Sequence, residues 1–241
     1  NGLFSARLAQ HGFTSRSDAI ECAQGFAATQ AESFKARPVR PSSDESFAVE
    51  ENLFKYHAAC YLTHAGIDAL NKLKEDHNLK IDQVERIEQF VPNTHFTVCN
   101  IAEPETGLEV KFSMRHTAAM TLADVDTGNL HSYSDDIAKR PDLIQLRDRV
   151  TIIDKPFNSR MQSEVVVHLK DKGAVHQFSD AGVPETNLDK QETKLIRKFN
   201  SLVTPIFGEE TSQSILDKCL KLETLENVAD LFHDVTLSNV S

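Results

Sequence analysis

The sequence predicts an α+β fold in which helical segments from both ends of the chain flank a mixed centre. Three observations predict it. Apolar residues recur at three- and four-residue spacing from Leu3 to Phe26 and again after Asp189. Between those parts, β-branched and aromatic residues gather in short runs at 81–91, 151–153 and 164–169, interleaved with helical patterns. A stretch with two prolines and three serines, residues 36–46, separates the first helical part from the centre and carries no regular element.

Taken in order, Leu3, Phe4, Leu8 and Ala9 form the apolar stripe of a first helix, which stops at His11-Gly12, where glycine takes the left-handed closing conformation. Ser15 with Asp18 at the capping-box position opens a second helix, faced by Ala19, Ile20, Ala23 and Phe26. After the linker, Ile67, Leu70 and Leu73 mark a helix, and Ile81 to Val91 reads as a strand with Val84, Ile87 and Phe90 apolar, closed by Pro92. Ala118 to Leu122 is a short buried helix, and Pro141 opens another containing Leu143, Ile144 and Leu146. Strands follow at Thr151 to Ile153 and Glu164 to Leu169. Asp171-Lys172-Gly173 before Ala174 to Phe178 signals a hairpin, because glycine supplies the positive φ of a tight turn. Finally Asp189 and Glu192 cap a helix whose apolar residues, Leu195 to Ile206, repeat until Pro205 and Gly208 interrupt them; Ile215, Leu216, Cys219, Leu220, Leu225, Val228 and Leu231 continue in the same style. The economical arrangement packs both ends as one helical domain and the centre as a second lobe, with boundaries at 1–45, 46–183 and 184–241.

Composition excludes several function classes. The 241 residues hold 26 Lys and Arg against 36 Asp and Glu, a net charge of −10, which argues against nucleic acid as the main partner. The four cysteines, Cys22, Cys60, Cys99 and Cys219, never form a C-x-x-C pair, so neither a zinc ribbon, an iron–sulfur run nor a disulfide framework is written here. No apolar run is long enough to span a bilayer, and the first residues lack the features of a signal peptide. The expectation is a cytoplasmic protein with no membrane partner, and the missing initiator methionine marks a fragment or processed form.

The chemistry-bearing residues concentrate in two places. Lys55 to Ala69 holds a lysine, two histidines, a cysteine and two tyrosines where loop becomes helix, and helix starts favour anions. Three readings are open for it. His57, Cys60 and His64 have the three-and-four spacing of metal ligands on one helical face. The same residues serve equally as amphipathic packing at a junction. The third reading is a carboxylate site, in which lysine supplies positive charge and histidine moves a proton near neutral pH. Lys111-Phe112-Ser113-Met114-Arg115-His116 again places two cations, a hydroxyl and an imidazole just ahead of a small-residue helix, or forms a solvated basic turn.

Together, Lys55 with Ala59-Cys60, Thr63-His64 and Asp68-Ala69, and Lys111-Phe112-Ser113 with His116, resemble the lid-domain motifs of the MmgE/PrpD family, which includes 2-methylcitrate dehydratase, cis-aconitate decarboxylase and iminodisuccinate epimerase. Asn1-Gly2-Leu3, Gly12-Phe13-Thr14, Gly25-Phe26, Arg140-Pro141, Asp171-Lys172-Gly173 and Lys198-Phe199 extend the resemblance over nearly the whole chain. It implies helical segments from both ends of the chain flanking an inserted α/β lid domain, and a lyase without cofactor or metal that acts on small polycarboxylates as a homodimer. Carried over by position, Lys55, Cys60 and His116 are the expected catalytic residues, and His64, Lys111, Ser113 and Arg115 the expected substrate-binding ones. The chain departs from the pattern at His116, where many members carry tyrosine, a group several pKa units away. It also departs at its front, where members carry a helical segment rich in active-site Asp and His; the resemblance is therefore to the C-terminal part. The alternative function is a catalytically incomplete carboxylate-binding or dimerisation module.

Overall fold

The computed structural model describes residues 1–35, 47–170, 173–233 and 235. The linker at 36–46 and the hairpin tip Asp171-Lys172 lie outside the described residues. Two compact units divide the chain, Asn1–Glu50 and Glu51–Ser241.

The first unit contains helix α1 (Gly2–Gln10) and a single short turn of helix, α2 (Phe26–Gln30). The second helix expected from Ser15 does not form. Arg16 takes both carboxylate oxygens of Asp18 at 2.8 Å, so that carboxylate does not reach back to the Ser15 backbone, and residues 17–25 fold as turns. Apolar residues stay in solvent here, with Leu3 81% and Phe4 68% exposed, and among the described residues of the unit Ala27 is the buried hydrophobic one.

The second unit is a four-stranded sheet with helices on one face. Its elements are α3 (His64–His77), β1 (Val84–Val91), α4 (Gly107–Val110), α5 (Met114–Leu122), α6 (Asp135–Ala138), α7 (Pro141–Arg147), β2 (Val150–Asp154), β3 (Gln162–Leu169), β4 (Gly173–Asp180) and α8 (Leu188–Cys219). The strand order is β2-β1-β3-β4; β1 and β2 are parallel, and the other pairs antiparallel. A parallel pair needs a long crossover, and residues 92–149, with α4 to α7, supply it.

Side-chain alternation sets the buried face. Ser163, Val165, Val167 and Leu169 of β3 and Val150 and Ile152 of β2 point inward, together with Leu70 and Leu73 of α3 and Met114, Ala119 and Met120 of α5. On β1 the pairing register shifts between Val84 and Arg86, so the inward residues are Val84, Ile87, Gln89 and Val91. Phe90 therefore lies on the opposite, half-exposed face. There Glu88 pairs with His168 at 3.0 Å and Lys155 pairs with Glu164, the solvated side of a two-layer arrangement.

Two glycines have structural reasons. Gly208 has φ 77°, which only glycine adopts without strain, and it kinks α8 just after Pro205. At Gly107 a Cβ would fall inside the Tyr133 carbonyl, so the first turn of α4 packs on the backbone of residues 133–134 only without a side chain. The cap of α8 is also displaced from its expected place. Asn187, not Asp189, accepts a hydrogen bond from the Lys190 N–H at 3.0 Å.

Candidate active site

Residues 52–60 run without regular structure until the 3₁₀ turn Tyr61–Thr63 leads into α3. Backbone hydrogen bonds decide where this segment lies. The Ala58 N–H donates to the Thr127 carbonyl and the Cys60 N–H to the Lys111 carbonyl, both at 2.8 Å. The second bond joins the two polar clusters that the sequence keeps apart. Tyr61 adds a third anchor, its hydroxyl donating to the Ala181 carbonyl at 2.7 Å.

Cys99 completes this neighbourhood. Its carbonyl accepts from the Met114 N–H at 3.2 Å, so Cys60 and Cys99 both rest against the 111–114 turn, and Cys60 packs against the core cluster that holds Cys99. Interaction with the Cys99 thiol, with the Leu62 backbone and the Lys55 charge, outweighs desolvation and draws the Cys60 thiol down to about 6. The buried Cys99, holding the shared proton beside a thiolate, is pushed far up.

Lys55 is exposed, and its charge reaches both Cys60 and His64. Lys198, on α8, is held down first by burial and then by the repelling charges of Lys55 and Lys111, although Asp126 opposes them. Its ammonium donates to the Gly128 carbonyl at 2.6 Å. Lys111 stands 5.6 Å over the Tyr133 ring. Three ammonium groups from three segments thus act on one another, Lys55 and Lys111 both repelling Lys198, and Lys55 also acts on Cys60; it is an arrangement whose repulsion an anion relieves.

His64 is 2% exposed, stacked on Tyr61 at 4.6 Å between ring centroids and edge-on to His57 at 4.9 Å. Burial, followed by the His57 and Lys55 charges, lowers its pKa to about 3, so the ring is neutral at pH 7. One ring edge hydrogen-bonds the Ala59 backbone while Nε2 has no protein partner. With the proton on the bonded edge, Nε2 presents a lone pair. His57 is fixed at both nitrogens, Nδ1 2.7 Å from Thr127 Oγ1 and Nε2 3.2 Å from Asp68 Oδ1. His57, His64 and Lys198 line a groove of about 870 Å³, together with Tyr56, Asp126 and the α8 cations Lys190, Lys194 and Arg197.

The second cluster is divided. Ser113 caps α5, accepting from the His116 N–H at 3.2 Å, and Arg115 donates to the Val150 carbonyl at 3.2 Å. His116 is wholly buried, with Nε2 3.2 Å from the Ile137 carbonyl, and burial lowers its pKa to about 4. These three side chains are engaged within the fold; Lys111 alone of the four reaches the lysine cluster.

The metal geometry considered for His57, Cys60 and His64 needed one continuous helix, and α3 begins only at His64. Among the described residues no group of three His, Cys, Asp or Glu side chains is placed to hold a metal. Lys198 and Cys99 were absent from the expected site. Lys198 had a signal, since Lys190, Lys194, Arg197 and Lys198 fall on one helical face. Cys99 had none, because its contact with Cys60 is made through a turn remote in sequence.

No helix among the described residues is long and apolar enough to cross a membrane. No curated protein matches the chain. Residues 57–222 match the MmgE/PrpD C-terminal domain, a span that contains the first polar cluster from His57 onward but not Lys55, the second cluster, the whole sheet and α8. The chain belongs to the MmgE/PrpD family.

Proposed function

We propose that this chain supplies the carboxylate-binding and proton-handling side of a lyase that acts without a metal on small di- or tricarboxylic acids, of the 2-methylcitrate or cis-aconitate kind. The observation that carries this reading is the mutual approach of Lys55, Lys111 and Lys198, with Lys55 also acting on Cys60. Removing a proton next to a carboxylate builds negative charge on that carboxylate, and fixed ammonium groups stabilise it where water is partly excluded. Cys60, whose thiol is drawn down by its interaction with Cys99 and by the Lys55 charge, is assigned as proton acceptor. His64 Nε2, buried and without a protein partner, is assigned to accept a hydrogen bond from a substrate hydroxyl or protonated carboxyl. Ser113, Arg115 and His116 enter as the residues that hold α5, and through it the 111–114 turn, in place. In this proposal residues 46–183 are the lid domain and the working form is a homodimer.

The test is turnover of 2-methylcitrate, cis-aconitate and related acids by the intact protein. Lys55→Ala is expected to lower turnover by about a hundredfold or more, the scale of losing one charge-stabilising donor. Undiminished turnover sinks the assignment.

A second reading, a carboxylate-binding or dimerisation module without turnover, is favoured by the exposed Leu3, Phe4, Phe13 and Phe26 of the first unit. Calorimetry separates the two: tight carboxylate binding with no turnover supports the module, and measurable turnover rules it out.

A further inference from the structure

Two cysteines meet in the candidate site, and their environments differ. Cys60 is half-buried at the mouth of its loop, whereas Cys99 is fully buried in the core. Both are held by the same turn: the Cys60 N–H bonds the Lys111 carbonyl at 2.8 Å, the Cys99 carbonyl accepts from Met114 at 3.2 Å, and residues 100 and 113 form an isolated bridge beside them. Cys60 packs against the buried cluster that contains Cys99, and each thiol acts on the other. An accessible sulfur poised against a buried second thiol is the architecture in which the first is oxidised and the second resolves it.

We propose that Cys60 and Cys99 form an oxidation site, in which a peroxide oxidises Cys60 and Cys99 closes a disulfide. In the first step the Cys60 sulfur attacks one peroxide oxygen and the O–O bond breaks. This leaves Cys60 as a sulfenic acid and releases hydroxide, which takes a proton to become water. In the second step the Cys99 sulfur displaces the hydroxyl from Cys60, the S–S bond forms, and the Cys99 proton leaves with that hydroxyl as a second water. Hydrogen peroxide gains two electrons and the two thiols lose them. Lys55 favours the first step by stabilising the Cys60 thiolate, which is the reacting form. The bond also removes Cys60 from proton chemistry. That consequence for activity rests on the proposed function; formation of the bond does not.

The experiment treats the whole chain with hydrogen peroxide and reads free thiols, intact mass and disulfide-linked peptides. The expected result is loss of two of the four thiols and a linked peptide pair carrying Cys60 and Cys99, reversed by dithiothreitol. In Cys99→Ser the sulfenic acid on Cys60 persists and is captured by dimedone; in Cys60→Ser the loss of the pair is abolished. Peptide mapping of the unaltered chain stands without the variants should Cys99→Ser fold poorly. Cys60 and Cys99 remaining reduced, or Cys60 linking instead to Cys22 or Cys219, overturns the proposal. Turnover is measured separately. A Cys60–Cys99 disulfide that leaves turnover intact upholds the oxidation site and sinks the catalytic assignment of Cys60.

Discussion

His57 holds Thr127 with Nδ1 2.7 Å from the hydroxyl oxygen, while its Nε2 faces Asp68 at 3.2 Å. A carboxylate only accepts, so Nε2 carries its proton toward Asp68 while Nδ1 meets the Thr127 hydroxyl. One imidazole thereby ties the segment carrying Lys55 and Cys60 to both the 124–128 turn and α3.

Removing that tie should loosen the segment. His57→Ala is expected to cost about 1–3 kcal/mol, because the Thr127 hydroxyl is left without its partner in a buried setting. Hydrogen exchange at residues 55–60 should rise together with the fall in the urea midpoint. Unchanged exchange there would show that the backbone bonds of Ala58 and Cys60 suffice alone.

Stability should fall in mild acid. His64 and His116 have folded pKa values of about 3 and about 4 against an unfolded value near 6.5, and burial lowers His95 too. The unfolded chain binds more protons between those limits, so stability is fully present above about pH 6.5 and is lost as pH falls toward 4. Each histidine contributes a slope of up to about 1.4 kcal/mol per pH unit. Denaturant midpoints at pH 7, 6 and 5 measure it, and His116→Gln should flatten the curve. A flat profile from pH 7 to 5 is incompatible with buried neutral histidines.

Gly107 and Gly66 should respond differently to alanine. At Gly107 the new Cβ meets the Tyr133 carbonyl and the Ser134 backbone, whereas at Gly66 it meets the Gln89 side chain. Backbone yields less readily than a side-chain amide. Gly107→Ala is expected to cost about 3 kcal/mol or more and Gly66→Ala less, by thermal or denaturant unfolding. Because α4 leads into Lys111, the first variant should also lower turnover; equal costs would contradict this packing.

Most helices and strands of the second unit were legible because their signals are local. Ile67, Leu70 and Leu73 share a helix face whatever they pack against, and Pro141 fits the first turn of α7 for reasons internal to its ring. The errors fall where two local solutions compete. Asp18 had either the Ser15 backbone or the Arg16 guanidinium to satisfy, and it took the charge. The register shift on β1 arises from pairing with β3, so no spacing within β1 could reveal that Phe90 turns outward.

By itself the sequence determined the mixed helix-and-sheet character, the family resemblance, and the two clusters at Lys55 to His64 and Lys111 to His116. Only the tertiary structure decided which of those side chains face one another. The Cys60 to Lys111 backbone bond, the thiol contact with Cys99 and the approach of Lys198 depend on chain closure across long sequence separations, which leaves no periodic trace. Burial then assigned the chemistry. The same imidazole group ties α5 to the Ile137 carbonyl at His116, is held at both nitrogens at His57, and is buried beside Tyr61 with Nε2 unpartnered at His64.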